Sequence, residues 1–159
     1  MAKNIRPSAT SPPKEPRTDG GGNHVHNEIL LGLSDKECEP LLLELEMVRL
    51  KVHQILHEQG DALKSVYFCN AGMVSILSVF PDGKSVEIGL VGKEGFVGLP
   101  LVAGFKTASN RAIAQIEGTA FRIDGKTLVA FLAKCPKLER SLQPVFTNLR
   151  GADFPDCRL

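Results

Sequence analysis

A mainly β protein with flanking helices, its short strands forming an antiparallel β-sandwich or barrel whose edges a double-stranded β-helix (jelly roll) would manage, is the fold class this sequence predicts. Three observations carry that reading. From about Glu46 to Asp124 the apolar residues follow a period of two and are rich in valine, isoleucine and phenylalanine. Glycines such as Gly60, Gly72 and Gly83 close the apolar runs at strand-and-turn spacing. On either side of this region the period becomes helical.

The first 26 residues, with Pro7, Pro12, Pro13, Pro16 and the Gly20-Gly21-Gly22 triplet, offer almost nothing apolar to bury. Such a segment does not offset its ordering entropy, so residues 1–26 are expected to be a disordered leader. A β-rich domain with flanking helices is expected over residues 27–140, and a short helix and tail over 141–159.

Ser34 with Glu37 three residues later has the spacing of a capping box and predicts a helix over about 35–45, presenting Leu41, Leu42 and Leu45 to a core. Pro40 is expected to shorten or kink it. The strands follow in order. "MVRLKVHQILHEQG" alternates as one strand to Gly60, "KSVYFCNAG" ends at Gly72, and "MVSILSVFPDGKSVEIGLVG" is a hairpin turning at Pro81-Asp82-Gly83. With "EGFVGLPLVAGFKTASNRAIAQIEG" and "TAFRIDG" the expected total is seven or eight short strands. Helical periodicity returns in "IDGKTLVAFLAKCP", with Leu128, Val129, Phe131 and Leu132, and again from Pro136, where Pro144 is expected to break or kink the last helix.

Bulk properties narrow the function. The chain has 159 residues, 43% of them hydrophobic, which suits one domain with a real core. Nineteen Lys and Arg against eighteen Asp and Glu leave a formal charge of +1, so any anion binding must be local. Cys38, Cys69, Cys135 and Cys157 are widely spaced, with no Cys-x-x-Cys pair, and read as reduced thiols. No window approaches the roughly 18 apolar residues of a membrane span. A soluble cytoplasmic protein is expected.

Catalytic signatures are missing: there is no Gly-x-Ser-x-Gly elbow, no phosphate-binding P-loop and no His-Glu-x-x-His helix, so no enzymatic activity is expected. His53 and His57 fall in a β segment, where a spacing of four separates them by roughly 13 Å, so no metal site is expected. His24 and His26 belong to the leader.

Glu94 to Gly118 is the best candidate for chemistry. The glycines and Pro100 in "GFVGLPLVAG" allow a sharp turn, and a short helical turn starting near Leu99 would present free N–H donors to an anion. Arg111, leading a small, apolar strand, either reaches water or meets an anion, because an unpaired guanidinium is costly to bury. Ala112 and Ala114 leave room beside it. The candidate ligand-binding residues are therefore Gly98, Leu99, Pro100, Arg111 and Ala112, with no cofactor expected beyond a phosphorylated ligand.

The succession "NEILLGLSDKE", "VRLKVHQILHEQGDALKSVYFCNAGMVSILSVFPDGKSVEIGLVGKEGFVGLPLVAG" and "NRAIAQIEGTAFRID" resembles the cyclic-nucleotide-binding domain of the Crp/Fnr transcription regulators over roughly Asn27 to Arg140. The resemblance implies a β-roll with the ligand inside. It also implies a phosphate cassette in which a Gly-Glu pair opens a short helix and a later Arg with a small residue takes the cyclic phosphate. Gly98, Arg111 and Ala112 match that pattern; Leu99 stands where the ribose-binding Glu is expected. An unpaired ribose hydroxyl costs about 1–3 kcal/mol, so this departure points to weakened nucleotide binding or to another ligand.

The family's long dimerisation helix and helix-turn-helix domain have no counterpart in the roughly twenty residues after Arg140, among them Pro144, Gly151 and Pro155. No DNA binding is expected from this chain alone. A weak homodimer through Leu138, Leu142, Val145 and Phe146 is one expectation, and a monomer the other. Two functional readings result: a sensor of a small anionic ligand, and a ligand-free interaction module in which Arg111 pairs internally with Glu117 or Asp124, or meets solvent. An Arg111 pointing into a pocket favours the first, and an Arg111 outside the roll the second.

Overall fold

Two long antiparallel strands, β3 (Ser65–Val79) and β6 (Arg111–Asp124), form the spine of the structure, a computed structural model that describes residues 16–149. The remaining strands are β1 (Glu46–Leu50), β2 (Ile55–His57), β4 (Ser85–Val91) and β5 (Phe96–Val97). β1 and β2 pair with β6, β4 and β5 pair with β3, and every pairing is antiparallel. The helices are α1 (Glu28–Leu31), α2 (Asp35–Leu43), α3 (Leu99–Val102), α4 (Gly125–Lys134) and α5 (Pro136–Leu149). This is the mainly antiparallel β architecture with flanking helices that the sequence predicts.

There are six strands among the described residues, not seven or eight, because the chain bends at glycines where the sequence suggests it stops. β3 continues through Gly72 without a break, and the β3–β6 register shifts three times between Cys69 and Val74. Bulges at such a place bend a strand and increase its twist. Gly72 has φ +82°, and a Cβ on Gly118 would lie 1.9 Å from the Ala71 carbonyl oxygen. Two residues without side chains let the backbones meet where the sheet turns its corner.

The bend leaves both faces of β3 and β6 covered. Phe68 and its partner Phe121 face the helices, in one buried cluster with Leu30, Leu41, Leu128 and Leu138. Their neighbours Cys69 and Ala120, also partners, face the other way, into a second cluster with Leu50, Val74, Val97, Ala112 and Ala114. That second cluster is the interior of the roll.

Other expectations are corrected by the tertiary structure. "MVRLKVHQILHEQG" is two strands: the chain turns at Lys51–Gln54, with His53 at φ +64° and its N–H donating to the Ala114 carbonyl. The hairpin at Pro81-Asp82-Gly83 forms as read, with the Gly83 N–H donating to the Phe80 carbonyl and Gly83 at φ +83°. α2 stops at Leu43, yet Leu41, Leu42 and Leu45 are all buried. Ser34 donates through its N–H and its hydroxyl to Glu37 Oε2. Val129 points outward, 46% exposed, while Leu128 and Leu132 carry the buried face of α4. α5 continues through Pro144 to Leu149, so that proline does not end the helix.

Part of the segment expected to be a leader folds. Thr18 bridges His24, and Val25 is buried. The Arg17 guanidinium donates to the carbonyls of Leu30 and Leu33 and pairs with Asp35, tying the end of α1 to the start of α2. Buried Asn70, from the bend of β3, accepts from the N–H groups of His26 and Asn27 and donates to the His24 carbonyl. Asn27 in turn donates to the carbonyls of Cys69 and Gly95. Polar side chains fix residues 17–27, which is why an apolar count misses them; residues 1–15 lie outside the described residues.

Candidate functional site

The turn that opens the site is built from Gly98. Its φ of +115° lies where side chains are strained, and a Cβ there would come within 2.9 Å of Val66 Cγ2. From this position α3 begins at Leu99 with Pro100 in its first turn, as the sequence predicts. Leu99, Leu101 and Val102 pack against the helical core. The position where a ribose-binding carboxylate is expected is therefore committed to apolar packing.

The other half of the site comes from β6. Ala112 and Ala114 are fully buried in the roll interior, in the same cluster as Val97, which directly precedes Gly98. The fold thus brings the cassette's first strand and the small residues after Arg111 into one enclosed space. Strand alternation turns Arg111 away from the face that Ala112 presents.

Arg111 Nε donates to Glu58 Oε2 at 2.7 Å, with the two side chains 30% and 39% exposed. Glu58 follows His57, which pairs with Ala112 in the β2–β6 register, so the carboxylate arrives beside the first residue of β6. Among the described residues the Arg111 Nη1 and Nη2 groups make no hydrogen bond or ion pair. The guanidinium is held at one donor and open at the others.

The internal partners expected for Arg111 are engaged elsewhere. Glu117 lies 3.5 Å from Arg49, and Asp124 caps α4 by accepting from the N–H groups of Lys126 and Thr127. Glu58 went unread because it sits 53 residues from Arg111 and only the β2–β6 register brings them together. "HEQG" after an alternating run was its one local sign.

Two further groups mark the interior. Burial holds the His57 imidazole below its ordinary pKa, against the opposing pull of Asp61 and Glu58. The Cys69 thiol is pushed up to about 12 by burial, with Glu94 adding to the shift. Cys38, Cys69 and Cys135 are all buried and free. The dimer strip is corrected in part: Leu138 and Leu142 are fully buried in the chain's own helical core, and the side chains of Val145 and Phe146 lie outside the described residues.

Roll, flanking helices and glycine-opened turn define the class: a β-roll domain flanked by helices. The cyclic nucleotide-binding domain model matches residues 47–135, more than half of the sequence, and the chain belongs to that family. Solved structures share its fold at low identity. The N-terminal domain of a transcriptional regulator from Streptomyces coelicolor A3(2) is 20% identical with a TM-score of 0.61, covering 84% of this chain and 99% of that one. The catabolite activator protein of Thermus thermophilus is 19% identical with a TM-score of 0.67, over 79% of this chain and 59% of its own. The sensor domain of the transcriptional regulator DNR from Pseudomonas aeruginosa is 19% identical with a TM-score of 0.64, over 82% and 90%. No curated protein matches the chain in sequence. No helix among the described residues is long and apolar enough to cross a membrane.

Proposed function

We propose that the chain is a regulatory ligand-sensing module of Crp/Fnr type that takes a cyclic nucleotide or another small anionic ligand at the β-roll, and that it is not an enzyme. The observation that carries this reading is the state of Arg111: a half-buried guanidinium in the cassette position, fixed through Nε, with Nη1 and Nη2 left for an anion. Two adjacent guanidinium donors match the oxygens of a phosphate, and charge-assisted bonds of this kind are among the strongest a surface offers.

Calorimetry with a panel of cyclic mononucleotides and dinucleotides tests the proposal. Binding by the wild type and its loss in Arg111→Ala support it; no heat and no thermal stabilisation with any member of the panel refute it.

A ligand-free interaction module is the second reading. It is favoured by the packing of Leu99 into the helical core and by an Arg111 that faces away from Ala112 with its charge already answered by Glu58. It gains if the panel is silent and Arg111→Ala leaves the fold intact.

A further inference from the structure

Glu58 stands in an unusual relation to the proposed site. It is an acid within 2.7 Å of the cation offered to an anionic ligand, and it directly follows β2, a strand that supplies neither part of the cassette. Its carboxylate contacts Nε, so an anion on Nη1 and Nη2 would lie a few ångströms from a fixed negative charge.

Resting on the sensing reading above, we infer that Glu58 is an internal counter-ion that competes with the ligand for Arg111 and sets the affinity of the site. Two effects oppose each other. As an acceptor, Glu58 holds the guanidinium in one orientation and so favours binding. As an anion, it neutralises the charge that attracts the ligand and repels the incoming phosphate. At the intermediate dielectric of a half-buried rim the Coulomb effect of a unit charge at this range exceeds the gain from fixing one side chain, so repulsion wins.

The carboxylate also has somewhere to go. Glu58 lines an open surface depression of about 310 Å³ together with Gln59, Val79, Phe80 and Pro81 beside the turn of the β3–β4 hairpin. The Gln59 Oε1 atom accepts from the Val79 N–H at 2.9 Å, which fixes that wall. When an anion takes Arg111, Glu58 can leave Nε and enter this depression without unfolding β2.

Glu58→Gln separates the two effects, because the amide oxygen still accepts from Nε while the charge is gone. Calorimetry of the whole chain uses cyclic AMP and orthophosphate as probes, with Arg111→Ala as control and a thermal melt to check each fold. Roughly tenfold tighter binding of a probe by Glu58→Gln, lost again in Arg111→Ala, is the expected result. Binding by Glu58→Gln of a probe that the wild type does not take, where the wild type binds another member of the panel, supports the inference equally. Equal or weaker binding by the variant, with Arg111 still required, overturns the role of Glu58 and leaves the sensing reading standing; silence from every protein overturns both. Should Glu58→Gln not fold, Glu58→Ala replaces it. A gain in affinity there has the same meaning, since a merely structural role for Glu58 predicts a loss.

Discussion

Arg111 and Glu58 lie 53 residues apart in sequence and 2.7 Å apart in space, joined through Nε and Oε2 at the start of β6. Both side chains are partly open to solvent, where an ion pair contributes little: the median is about 0–1 kcal/mol. Arg111→Ala is therefore expected to lower stability by no more than about 1 kcal/mol in urea denaturation while removing ligand-dependent stabilisation. A large loss of stability would make the pair structural.

Asn70 satisfies three backbone groups at the bend of β3: the N–H groups of His26 and Asn27 and the carbonyl of His24. Truncation leaves them without partners, the Asn27 N–H in a buried setting and the other two partly buried. Asn70→Ala should cost about 2–4 kcal/mol and free residues 17–26 for cleavage by a non-specific protease, followed by mass spectrometry. Unchanged proteolysis would show that the segment is held by other means.

Gly118 faces the Ala71 carbonyl with no room for a methyl group, since a Cβ would sit 1.9 Å from that oxygen. The contact is backbone against backbone, so neither side can rotate away. Gly118→Ala should destabilise the roll by about 3 kcal/mol or more, read as a fall in the denaturation midpoint. Gly83→Ala, in an open turn, should cost less, because its strain is in φ alone.

Burial lowers the His57 pKa below its ordinary 6.5, so on acidification the unfolded chain binds this proton before the folded one does. The stability that neutral His57 contributes is fully present above about pH 6.5 and is lost as pH falls from there through the lowered folded value. His57→Gln should flatten the dependence of the melting temperature on pH in that window. An identical slope in the variant would assign the acid sensitivity to other groups.

Cys69 is buried and its thiol is pushed up to about 12, chiefly by desolvation. Alkylation requires the thiolate. Iodoacetamide at mildly alkaline pH should leave Cys69 unmodified in the folded protein and modify it after denaturation in guanidinium, by peptide mass spectrometry. Rapid labelling of the folded state would mean that the roll opens on that timescale.

The elements of this protein that depend on neighbours in sequence are legible in it. Ser34 with Glu37, the Pro81-Asp82-Gly83 turn, Gly98 before a helical turn and Pro136 at a helix start act within a few residues, and period-two alternation needs only the local chain. Even the family is carried by these short signals in order. What the sequence leaves open is set by contacts between distant segments. Gly72 reads as the end of a strand, and only the approach of Gly118 makes it a bend within one; Pro16 to His26 read as leader, and only Arg17 and Asn70 fasten them. Leu138 and Leu142 read as a surface strip, and the helical core claims them. Arg111 is visible in the sequence as a cation in need of a partner, but which carboxylate answers it was decided by the β2–β6 register, because ion pairs select by distance in space and not by separation along the chain.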